Sequence, residues 1–527
     1  NPTDENSHPH FSNDRKVAVV HNGIIENYLE LKEELIKEGY NFNSQTDSEV
    51  VAHLFSKYYS GDMLETMMKV REKIRGSYAL GIIDSENPDK LVCTRKESPL
   101  IIGLGDGKNF IASDVPAILK YTREVIFLEN NEMAIIEKDR VSVYNSQGKK
   151  LEKSITKIEW DMEQASKGGY PHFMLKEIEE QPNVIEKTLE VYTNYDGKVD
   201  FSSSLKELDL SKIEEIYIVA CGTAMHAGLS GKNTIEKLCR IPVEVDIASE
   251  FRYRNPIVDS NTLSIFISQS GETADTIAAL KLAKSMGSKT IAISNVIGSS
   301  ITREADYSIY THAGPEIAVA STKAYTSQVV LINILAIYFA EILKCCPEND
   351  LLYLKKEILG LPKKVEETLH CKDDIKRFAK KIYQEKDVFF LGRGVDETIA
   401  KEGSLKLKEI SYIHSESYAA GELKHGPIAL IENGVTVIGI LTDSNLVEKT
   451  ISNIQEVITR GAKTLVITNQ DFNYNMFDEV IKIPSVSIFL SPVLAIVPLQ
   501  LLAYFISKEK GLDVDKPRNL AKSVTVE

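Results

Sequence analysis

The sequence is poor in cysteine, with six residues among 527, and their spacing matches neither a metal site nor a disulfide framework. We therefore expect reduced thiols and a cytoplasmic protein. An excess of basic residues is also lacking, because 62 Lys and Arg face 76 Asp and Glu, giving a net charge of −14. Since a nucleic-acid backbone is bound by clustered Lys and Arg, no nucleic-acid partner is expected. An anionic ligand must instead be held locally by amides, hydroxyls or a few lysines.

An unbroken apolar run of membrane-spanning length is missing as well. The segment from Val329 to Leu343 is too short to span and carries Glu341. The segment from Val486 to Ile506 is interrupted by Pro492 and Pro498. We interpret both as buried core helices of a soluble protein with no membrane partner, and the polar N-terminus gives no sign of a signal peptide.

The length of the chain predicts several domains. In residues 1–157, Val17–Val20 and Gly76–Asp84 are typical of strands, and Asn27–Lys37 is typical of an amphipathic helix. The polar stretch 145–150 predicts a hairpin turn near the end of this domain. Residues 158–207 are a predicted linker region whose helix, 172–193, is expected to expose its charged side chains to solvent: Lys176, Glu177, Glu179 and Glu180.

From about residue 208 onwards, continuous apolar strands alternate with helices, which predicts a doubly wound parallel sheet. The same layout then returns, and Ala248-Ser249-Glu250-Phe251 resembles Ala420-Gly421-Glu422-Leu423 in the second copy. We predict two copies of one α/β unit, over residues 208–350 and 380–515. Ligands of such sheets bind at the carboxyl ends of the strands.

The serine loop, Ser268 to Thr273, lies between a predicted strand and a helix that begins near Ala274. Its hydroxyls, its glycine and the helix amides form a neutral cradle suited to a phosphomonoester. An ordinary helix cap and turn would use the same residue types. The corresponding stretch of the second copy, Thr442 to Asn445, has an acid and no glycine, so we expect one phosphate site in two copies.

Together these motifs resemble the glutamine–fructose-6-phosphate aminotransferase family, whose synthase half consists of tandem sugar isomerase (SIS) domains. The resemblance covers the whole chain and rests on five segments: Cys221-Gly222-Thr223, Ser268 to Thr273, Val319 to Lys323, Ala420 to Pro427 and Arg518 to Glu527. It implies an α/β fold of two doubly wound SIS domains, preceded by a partial α+β N-terminal-nucleophile amidotransferase domain over residues 1–157. It also implies a transferase that makes glucosamine 6-phosphate and glutamate from fructose 6-phosphate and glutamine, the first step of hexosamine biosynthesis.

The chemistry requires ring opening, replacement of the C2 oxygen by nitrogen, and proton transfer between C1 and C2. The resemblance implies that Lys522 forms a Schiff base, that Glu409 moves the proton with Lys406 and Glu402 nearby, and that His425 opens the ring. It further implies a homodimer in which His425 reaches the neighbouring subunit's site, and a tail, 516–527, that completes the site. The remaining implied contacts are Ser268, Gln269, Ser270 and Thr273 with the phosphate, and Thr223, Val319, Ser321 and Ala521 with the sugar.

The residues alone leave other interpretations open. Lys522 near the C-terminus is, from composition alone, more typical of a solvated cation. Glu402, Lys406 and Glu409 share a helix face, a spacing that a surface ion-pair row explains equally well. A fructosamine-phosphate deglycase would share the tandem domains, and a sugar-phosphate sensor would share the serine loop. Neither a cofactor nor a metal is expected, because the sugar itself becomes the Schiff-base partner and no metal-ligand spacing is found.

His21 to Asn27 resembles the oxyanion segment of the amidotransferases, in which Asn22 and Gly23 would supply hydrogen-bond donors. The resemblance also implies that Asp47 binds the glutamine amino group and that His8 lies near this site. Without it, Asn22-Gly23 is typical of a tight turn.

These amidotransferases use an N-terminal cysteine whose own amino group serves as the base. The printed sequence begins with Asn1 and has no cysteine before Cys93, a mid-chain thiol without an adjacent amine. We therefore expect the chain as printed to isomerise the sugar and not to hydrolyse glutamine.

Overall fold

The computed structural model describes residues 3–158, 166–194 and 197–524. Contacts between residues divide the chain into two units. The first comprises residues 1–165 with the short segments 272–274 and 523–527, and the second comprises residues 166–271 and 275–522. Parts of the predicted linker (159–165 and 195–196) and the last three residues of the predicted tail motif (525–527) lie outside the described residues.

In its described part, the first unit consists of strands and three helices, α1 (Tyr28–Lys37), α2 (Glu49–Tyr58) and α3 (Met63–Lys73). The strands are β1 (His10–Phe11), β2 (Val17–Ile25), β3 (Gly76–Asp84), β4 (Lys90–Lys96), β5 (Ile101–Gly105), β6 (Lys108–Ala112), β7 (Glu124–Phe127), β8 (Met133–Glu137), β9 (Val141–Tyr144), β10 (Lys150–Leu151) and β11 (Thr156–Lys157). They form two antiparallel sheets, of order β1-β2-β3-β4-β8-β9-β10 and β11-β7-β5-β6.

Local chemistry explains these boundaries. Helix α3 begins after Asp62, whose carboxylate accepts the backbone N–H groups of Leu64 at 2.8 Å and Glu65 at 3.1 Å. The predicted strand at Val17 and the predicted helix ending at Lys37 are both found, as is the 145–150 turn, because β9 pairs with β10.

The second unit opens with two helices, α4 (Phe173–Glu179) and α5 (Gln181–Tyr192), where one linker helix was predicted. The chain breaks there because Pro182, in the first turn of α5, cannot donate a helical hydrogen bond to an earlier turn. The prediction that Lys176 and Glu177 face solvent is wrong, since both are buried. Glu177 is buried because its carboxyl group accepts hydrogen bonds from the backbone of residues 317 and 318.

A first five-stranded sheet follows, with order β13-β12-β14-β15-β16 and every pair parallel. Strand β14 is buried along its whole length, as its continuous apolar sequence predicts. The strands are β12 (Glu215–Ala220), β13 (Val243–Ile247), β14 (Thr262–Ser268), β15 (Lys289–Ser294) and β16 (Tyr307–Tyr310). The helices are α6 (Gly222–Cys239), α7 (Ala248–Tyr253), α8 (Ala274–Ser285), α9 (Ser300–Glu304) and α10 (Lys323–Leu343).

After α11 (Glu348–Leu359), α12 (Leu361–Leu369) and α13 (Lys372–Ile382), a second parallel sheet has the order β18-β17-β19-β20-β21. Both sheets therefore place their strands in the same sequence, 2-1-3-4-5, which confirms the two predicted copies. The second set of strands is β17 (Asp387–Gly392), β18 (His414–Ala419), β19 (Thr436–Leu441), β20 (Lys463–Thr468) and β21 (Glu479–Lys482). Its helices are α14 (Val395–Ser411), α15 (Val447–Ile458) and α16 (Ser491–Glu509).

Helices α10 and α16 are long and apolar enough to cross a membrane by length and composition. In their most apolar windows, however, 78% and 89% of the residues are buried inside the protein. Helix α10 packs on α5 and α6, and α16 packs on α13 and α14. Both are therefore core helices, as the sequence predicts.

Candidate active site

The serine loop begins at Ser268, the last residue of β14, and ends just before α8. Ser268 is buried, and its Oγ accepts a hydrogen bond from the backbone N of Gly271 at 3.1 Å. The carbonyl oxygen of Gln269 accepts the N–H of Asn295 at 3.2 Å. The side-chain Oε1 of Gln269 is buried and has no hydrogen-bond partner within the described residues. Such an atom costs about 1–3 kcal/mol, so a ligand hydroxyl placed here would be favoured.

Gly271 is the residue of this loop that cannot be exchanged. Its φ is +69°, and a Cβ atom would lie 2.0 Å from Ser299 Oγ and 2.9 Å from Ser294 Oγ. Glycine is therefore required at this position both by the backbone conformation and by the lack of space, and it allows the loop to turn tightly. Ser270, beside it, is half-buried.

The equivalent strand end of the second sheet, after β19, is occupied by a carboxylate of the protein. Asp396 accepts the backbone N–H groups of Thr442 at 2.8 Å and Asp443 at 3.3 Å. Burial raises the pKa of Asp396 to about 7, although the hydrogen bonds from Thr442 oppose the shift. These amides already have an acceptor, which supports the expectation of one phosphate loop in two copies.

Helix α14 holds the predicted acid–base residues on one face. Lys406 Nζ lies 3.4 Å from Glu402 Oε1 and 2.5 Å from Glu409 Oε2. The side chains of Glu402 and Lys406 are fully buried, and that of Glu409 is 21% exposed. Burial lowers the pKa of Lys406, but the two carboxylates outweigh it, so the pKa is raised. The surface ion-pair interpretation is therefore wrong, because the ammonium group is enclosed between two carboxylates.

Two residues of α6, the helix that follows β12 of the first sheet, contact this cluster. The Thr223 hydroxyl donates to Glu402 Oε1 at 3.0 Å and accepts from Lys406 Nζ at 2.9 Å. His226, one helical turn later, places Nδ1 2.7 Å from Glu402 Oε2. The sequence analysis missed His226. Because it is three residues from Thr223, His226 could have been predicted to share a helix face with it. The contact with Glu402 could not, since Glu402 is 176 residues away along the chain.

Lys522 is held by the protein and is not a solvated tail cation. Its Nζ donates to Glu316 Oε2 at 2.6 Å and to the carbonyl oxygen of Ala318 at 2.7 Å. The side chain of Lys522 is 21% exposed, whereas that of Glu316 is fully buried. The ammonium group therefore has a defined position beside the segment that leads into α10.

Glu316, which the sequence analysis also missed, organises that segment. Its Oε1 accepts the N–H groups of Thr322 at 2.9 Å and Ala324 at 3.0 Å, and its Oε2 accepts the Ser321 hydroxyl at 2.8 Å. Burial opposes ionisation of Glu316, but the Lys522 ammonium and these hydrogen bonds prevail and lower its pKa. Ser321 is thereby fixed to the same carboxylate as Lys522.

A second buried carboxyl group, Glu177 of α4, supports the same segment. Its Oε1 accepts the N–H groups of Ile317 at 2.5 Å and Ala318 at 3.2 Å. Burial and then the charge of Glu316 raise the pKa of Glu177 to about 8, against the opposing effect of nearby lysines. Glu177 is therefore largely protonated at neutral pH, and the negative charge beside Lys522 belongs to Glu316.

The other residues predicted for the sugar site lie in different segments of the chain. Val319 is half-buried and donates its backbone N–H to the Asp515 carbonyl oxygen at 3.0 Å. Ala521 is exposed beside Lys522 in the chain, and Thr273 ends the serine loop within the segment 272–274. His425 is exposed at the end of a 3-10 helix, Glu422–His425, and makes no hydrogen bond or ion pair with the described residues.

In the first unit, Asn22 and Gly23 lie within β2 and pair with β3, so the tight-turn interpretation is wrong. Gly23 has a φ of +134°, and a Cβ atom would lie 2.1 Å from the Ser77 carbonyl oxygen. The Asn22 side chain is exposed. Asp47 Oδ2 accepts the backbone N–H of Ile25 at 2.7 Å, which fixes the carboxylate beside this strand.

Three histidines lie within electrostatic reach of Asp47. The rings of His8 and His10 meet edge to face with centroids 5.2 Å apart, and His21 Nδ1 lies 2.9 Å from Ser48 Oγ. Burial lowers the pKa of His21 to about 4 and also lowers the pKa of His8, although the charge of Asp47 opposes both shifts. His21 is therefore neutral at pH 7, and its imidazole does not neutralise the charge of Asp47.

The cysteines give no sign of a replacement nucleophile. All six are free, and Cys93 is fully buried, which raises its pKa to about 12. A thiol of that kind is unreactive at neutral pH. Across residues 3–158, 166–194 and 197–524, no group of three or more His, Cys, Asp or Glu side chains is arranged to hold a metal ion.

Comparison with protein families agrees with this architecture. The SIS domain model matches residues 209–338 and 381–506, and a glutamine amidotransferase domain model matches residues 2–120. Each SIS match contains one of the two parallel sheets.

Individual relatives extend over the whole chain. A glutamine–fructose-6-phosphate aminotransferase [isomerizing] of Clostridium tetani is 56% identical over 530 residues, covering 100% of this chain and 87% of the relative. One from Thermus thermophilus is 47% identical with the same coverage. The solved C-terminal domain of glucosamine-fructose-6-phosphate aminotransferase from Francisella tularensis superposes with a TM-score of 0.64 at 39% identity, covering 67% of this chain and 100% of that structure. The chain therefore belongs to the glutamine–fructose-6-phosphate aminotransferase [isomerizing] family.

Proposed function

We propose that this protein converts fructose 6-phosphate and glutamine to glucosamine 6-phosphate and glutamate, the first step of hexosamine biosynthesis. The observation that carries the proposal is the defined position of Lys522 against buried Glu316, which also holds Ser321. A lysine fixed in this way is available for a Schiff base with the sugar ketone.

We assign residues 1–157 to the amidotransferase domain, 158–207 to the linker region, and 208–350 and 380–515 to the two SIS domains. The family matches at 209–338 and 381–506 lie within these bounds, which supports the assignment. The tail, 516–527, is proposed to complete the sugar site.

Phosphate binding is assigned to the serine loop, through Ser268, Gln269, Ser270 and Thr273. The tight turn at Gly271 supports this assignment, whereas the unpartnered Oε1 of Gln269, which can only accept a hydrogen bond, suits a sugar hydroxyl. The backbone N of Ala274 also donates to the carbonyl oxygen of Val524 at 3.1 Å. Ala274 directly follows the serine loop, and Val524 is two residues beyond Lys522. Two residues of extended chain span at most about 7 Å, which limits the distance along the chain between Lys522 and the Ala274–Val524 hydrogen bond.

In the proposed mechanism, Lys522 Nζ attacks C2 of the open sugar, and loss of water gives an iminium ion. Ammonia from glutamine then adds to C2 and releases the Lys522 amine, and Glu409 transfers a proton from C1 to C2 of the imine that remains. Glu409 is the partly exposed carboxylate of the α14 face, whereas Glu402 is sealed between Thr223 and Lys406. Lys406 orients Glu409 through its 2.5 Å contact. Thr223, Val319, Ser321 and Ala521 would bind the sugar.

His425 is proposed as the ring-opening acid and base, supplied to the neighbouring subunit of a homodimer. Its exposed position supports this role, as does the lack of any hydrogen bond or ion pair between His425 and the described residues of its own chain. In the amidotransferase domain, Asn22, Gly23, Asp47 and His8 are proposed to bind glutamine. The six free cysteines are compatible with the cytoplasm, where we place the protein.

Formation of glucose 6-phosphate from fructose 6-phosphate, measured with a coupled dehydrogenase, tests the proposal. Wild-type protein and Lys508→Arg, a control at an exposed lysine near the end of α16, should both form product. Lys522→Arg keeps the charge but cannot form the Schiff base, so borohydride added together with fructose 6-phosphate should attach the sugar to the wild type and not to Lys522→Arg. Binding without turnover by the wild type would instead indicate a sugar-phosphate sensor.

A further inference from the structure

We propose that Glu316 is a catalytic residue, whose carboxylate takes the proton that the Lys522 ammonium must lose before Nζ can attack a ketone. This inference deepens the proposed function and depends on it, because it requires Lys522 to be the Schiff-base lysine. In the described structure, the polar contacts of Lys522 Nζ are with Glu316 and Ala318. The proton acceptor is therefore sought between these two residues and not in the serine loop or on the α14 face.

The geometry selects Glu316 between these two contacts. Its Oε2 lies 2.6 Å from Nζ, a distance suited to direct proton transfer. The Ala318 carbonyl oxygen, at 2.7 Å, accepts a hydrogen bond but is not basic enough to keep a proton. Glu316 is therefore the group that can convert the ammonium ion into a nucleophilic amine.

Glu316 is also held still while the lysine moves. Two backbone N–H groups, from Thr322 and Ala324, fix Oε1, and the Ser321 hydroxyl donates to Oε2. Because the carboxyl group is fixed, the substrate carbonyl has to meet Nζ beside Glu316, within reach of the same carboxyl group. A preorganised acid–base group of this kind meets the reacting atoms in one orientation.

Burial favours the transfer, whereas the charge of Lys522 and the hydrogen bonds to Glu316 oppose it. The charged or titratable groups of this region include Glu177 from α4, Lys406 from α14 and Lys323 from the start of α10. Glu177 is largely protonated at pH 7, so this buried region already accommodates a neutral carboxyl group. Burial likewise favours the neutral form of Glu316 once the lysine has given up its charge.

The step balances in protons and charge. Glu316 Oε2 takes one proton from Nζ, and the freed electron pair forms the bond to C2 while the C2 oxygen gains a proton from nitrogen. Glu316 then returns its proton to the C2 hydroxyl, which leaves as water as the C–N double bond forms. The products are water, a positively charged iminium ion and the restored Glu316 carboxylate, which becomes its counter-ion.

Trapping of the iminium ion with cyanoborohydride at pH 7, followed by mass spectrometry of the Lys522 peptide, tests this role. Glu316→Gln should retain the hydrogen bonds to Oε1 but slow trapping by about a hundredfold or more. Glu177→Gln is the matched variant, because it replaces a buried carboxyl group that carries little charge at pH 7, and we expect trapping within about threefold of the wild type. Affinity for glucitol 6-phosphate, which has no carbonyl group, should be unchanged in both.

The outcomes separate the two proposals. If the wild type gives no adduct at Lys522, the proposed function fails. If the wild type is trapped and Glu316→Gln is trapped equally fast or faster, Glu316 only holds the ammonium ion, and the inference is overturned. If Glu316→Gln no longer binds glucitol 6-phosphate, the trapping is repeated with Glu316→Ala and added formate, whose carboxylate can take the place of the missing side chain. Trapping must then rise with formate concentration, and a flat response also overturns the inference.

Discussion

Among single residues, Lys406 is the one on which the α14 cluster depends. Its ammonium group is fully buried and contacts Glu402, which is fully buried as well. Removal of one partner of a buried ion pair leaves the other as an unpaired charge, at a cost of about 3–5 kcal/mol. We therefore expect Lys406→Met to lower the free energy of unfolding of the second unit by this amount, measured by urea denaturation.

Lys408→Met is the control, because Lys408 is exposed two positions further along α14. Its free energy of unfolding should stay within about 0.5 kcal/mol of the wild type. Equal stability of the two variants would show that the Lys406 charge is not enclosed as described.

The neighbouring contact of His226 with Glu402 leads to a second prediction. A hydrogen bond to a charged group contributes about 1.5–3 kcal/mol, so His226→Ala should reduce isomerase activity by about tenfold or more through loss of Glu402 orientation. His226→Asn, whose amide N–H can replace Nδ1–H, should recover most of it. Kinetics of fructose 6-phosphate isomerisation measure both, and an active alanine variant would refute the link.

Among structural elements, the serine loop depends on a turn that Gly271 allows. Alanine at this position would meet Ser299 Oγ at 2.0 Å. Gly271→Ala should therefore weaken glucitol 6-phosphate binding by at least about tenfold, measured by calorimetry. Gly287→Ala is the matched control, since its φ of +97° is also left-handed but its nearest atom is 3.7 Å away. Comparable binding by both variants would argue against the loop as the phosphate site.

The raised pKa of Glu177, in α4, predicts that the stability of the protein depends on pH. The pKa of Glu177 is raised from 4.5 to about 8 in the folded protein, so the folded state keeps a proton that the unfolded chain releases. The stability from this proton is fully present below pH 4.5 and is lost as the pH rises through 8. Relative to wild type, Glu177→Gln should thus become more stable between pH 5 and 8.5, measured by thermal unfolding. The exposed Glu186→Gln on α5 should follow the wild type throughout, and parallel curves for all three proteins would contradict the assignment.

Sequence patterns predicted most of the strands and helices, although not the break between α4 and α5, and they did not predict the contacts between elements. The apolar runs predict β14 and β19, and the i, i+4, i+7 spacing predicts the shared face of Glu402, Lys406 and Glu409. Burial of that face could not be predicted, because it results from α6 packing against α14. Glu177 was wrongly placed in solvent for the same reason, as its partners lie 140 and 141 residues away.

At the scale of the whole molecule, the exposed His425 predicts sites shared between subunits. A mixture of His425→Ala and Lys522→Ala proteins, refolded together, should regain activity. In a shared-site dimer, one of the two sites in each mixed dimer would contain both groups, so random mixing predicts about a quarter of wild-type activity. If His425 served its own chain, every site would lack one group, and no activity would return.

The proposed reaction requires a hexose phosphate that is bound by the serine loop while Lys522 condenses with its carbonyl carbon. A crystal structure of the protein after reaction with fructose 6-phosphate and borohydride tests both halves together. We predict continuous density from Lys522 Nζ to C2 of the sugar, with the phosphate contacting Ser268, Gln269, Ser270 and Thr273. An unmodified Lys522, or a phosphate bound away from these residues, would contradict the account.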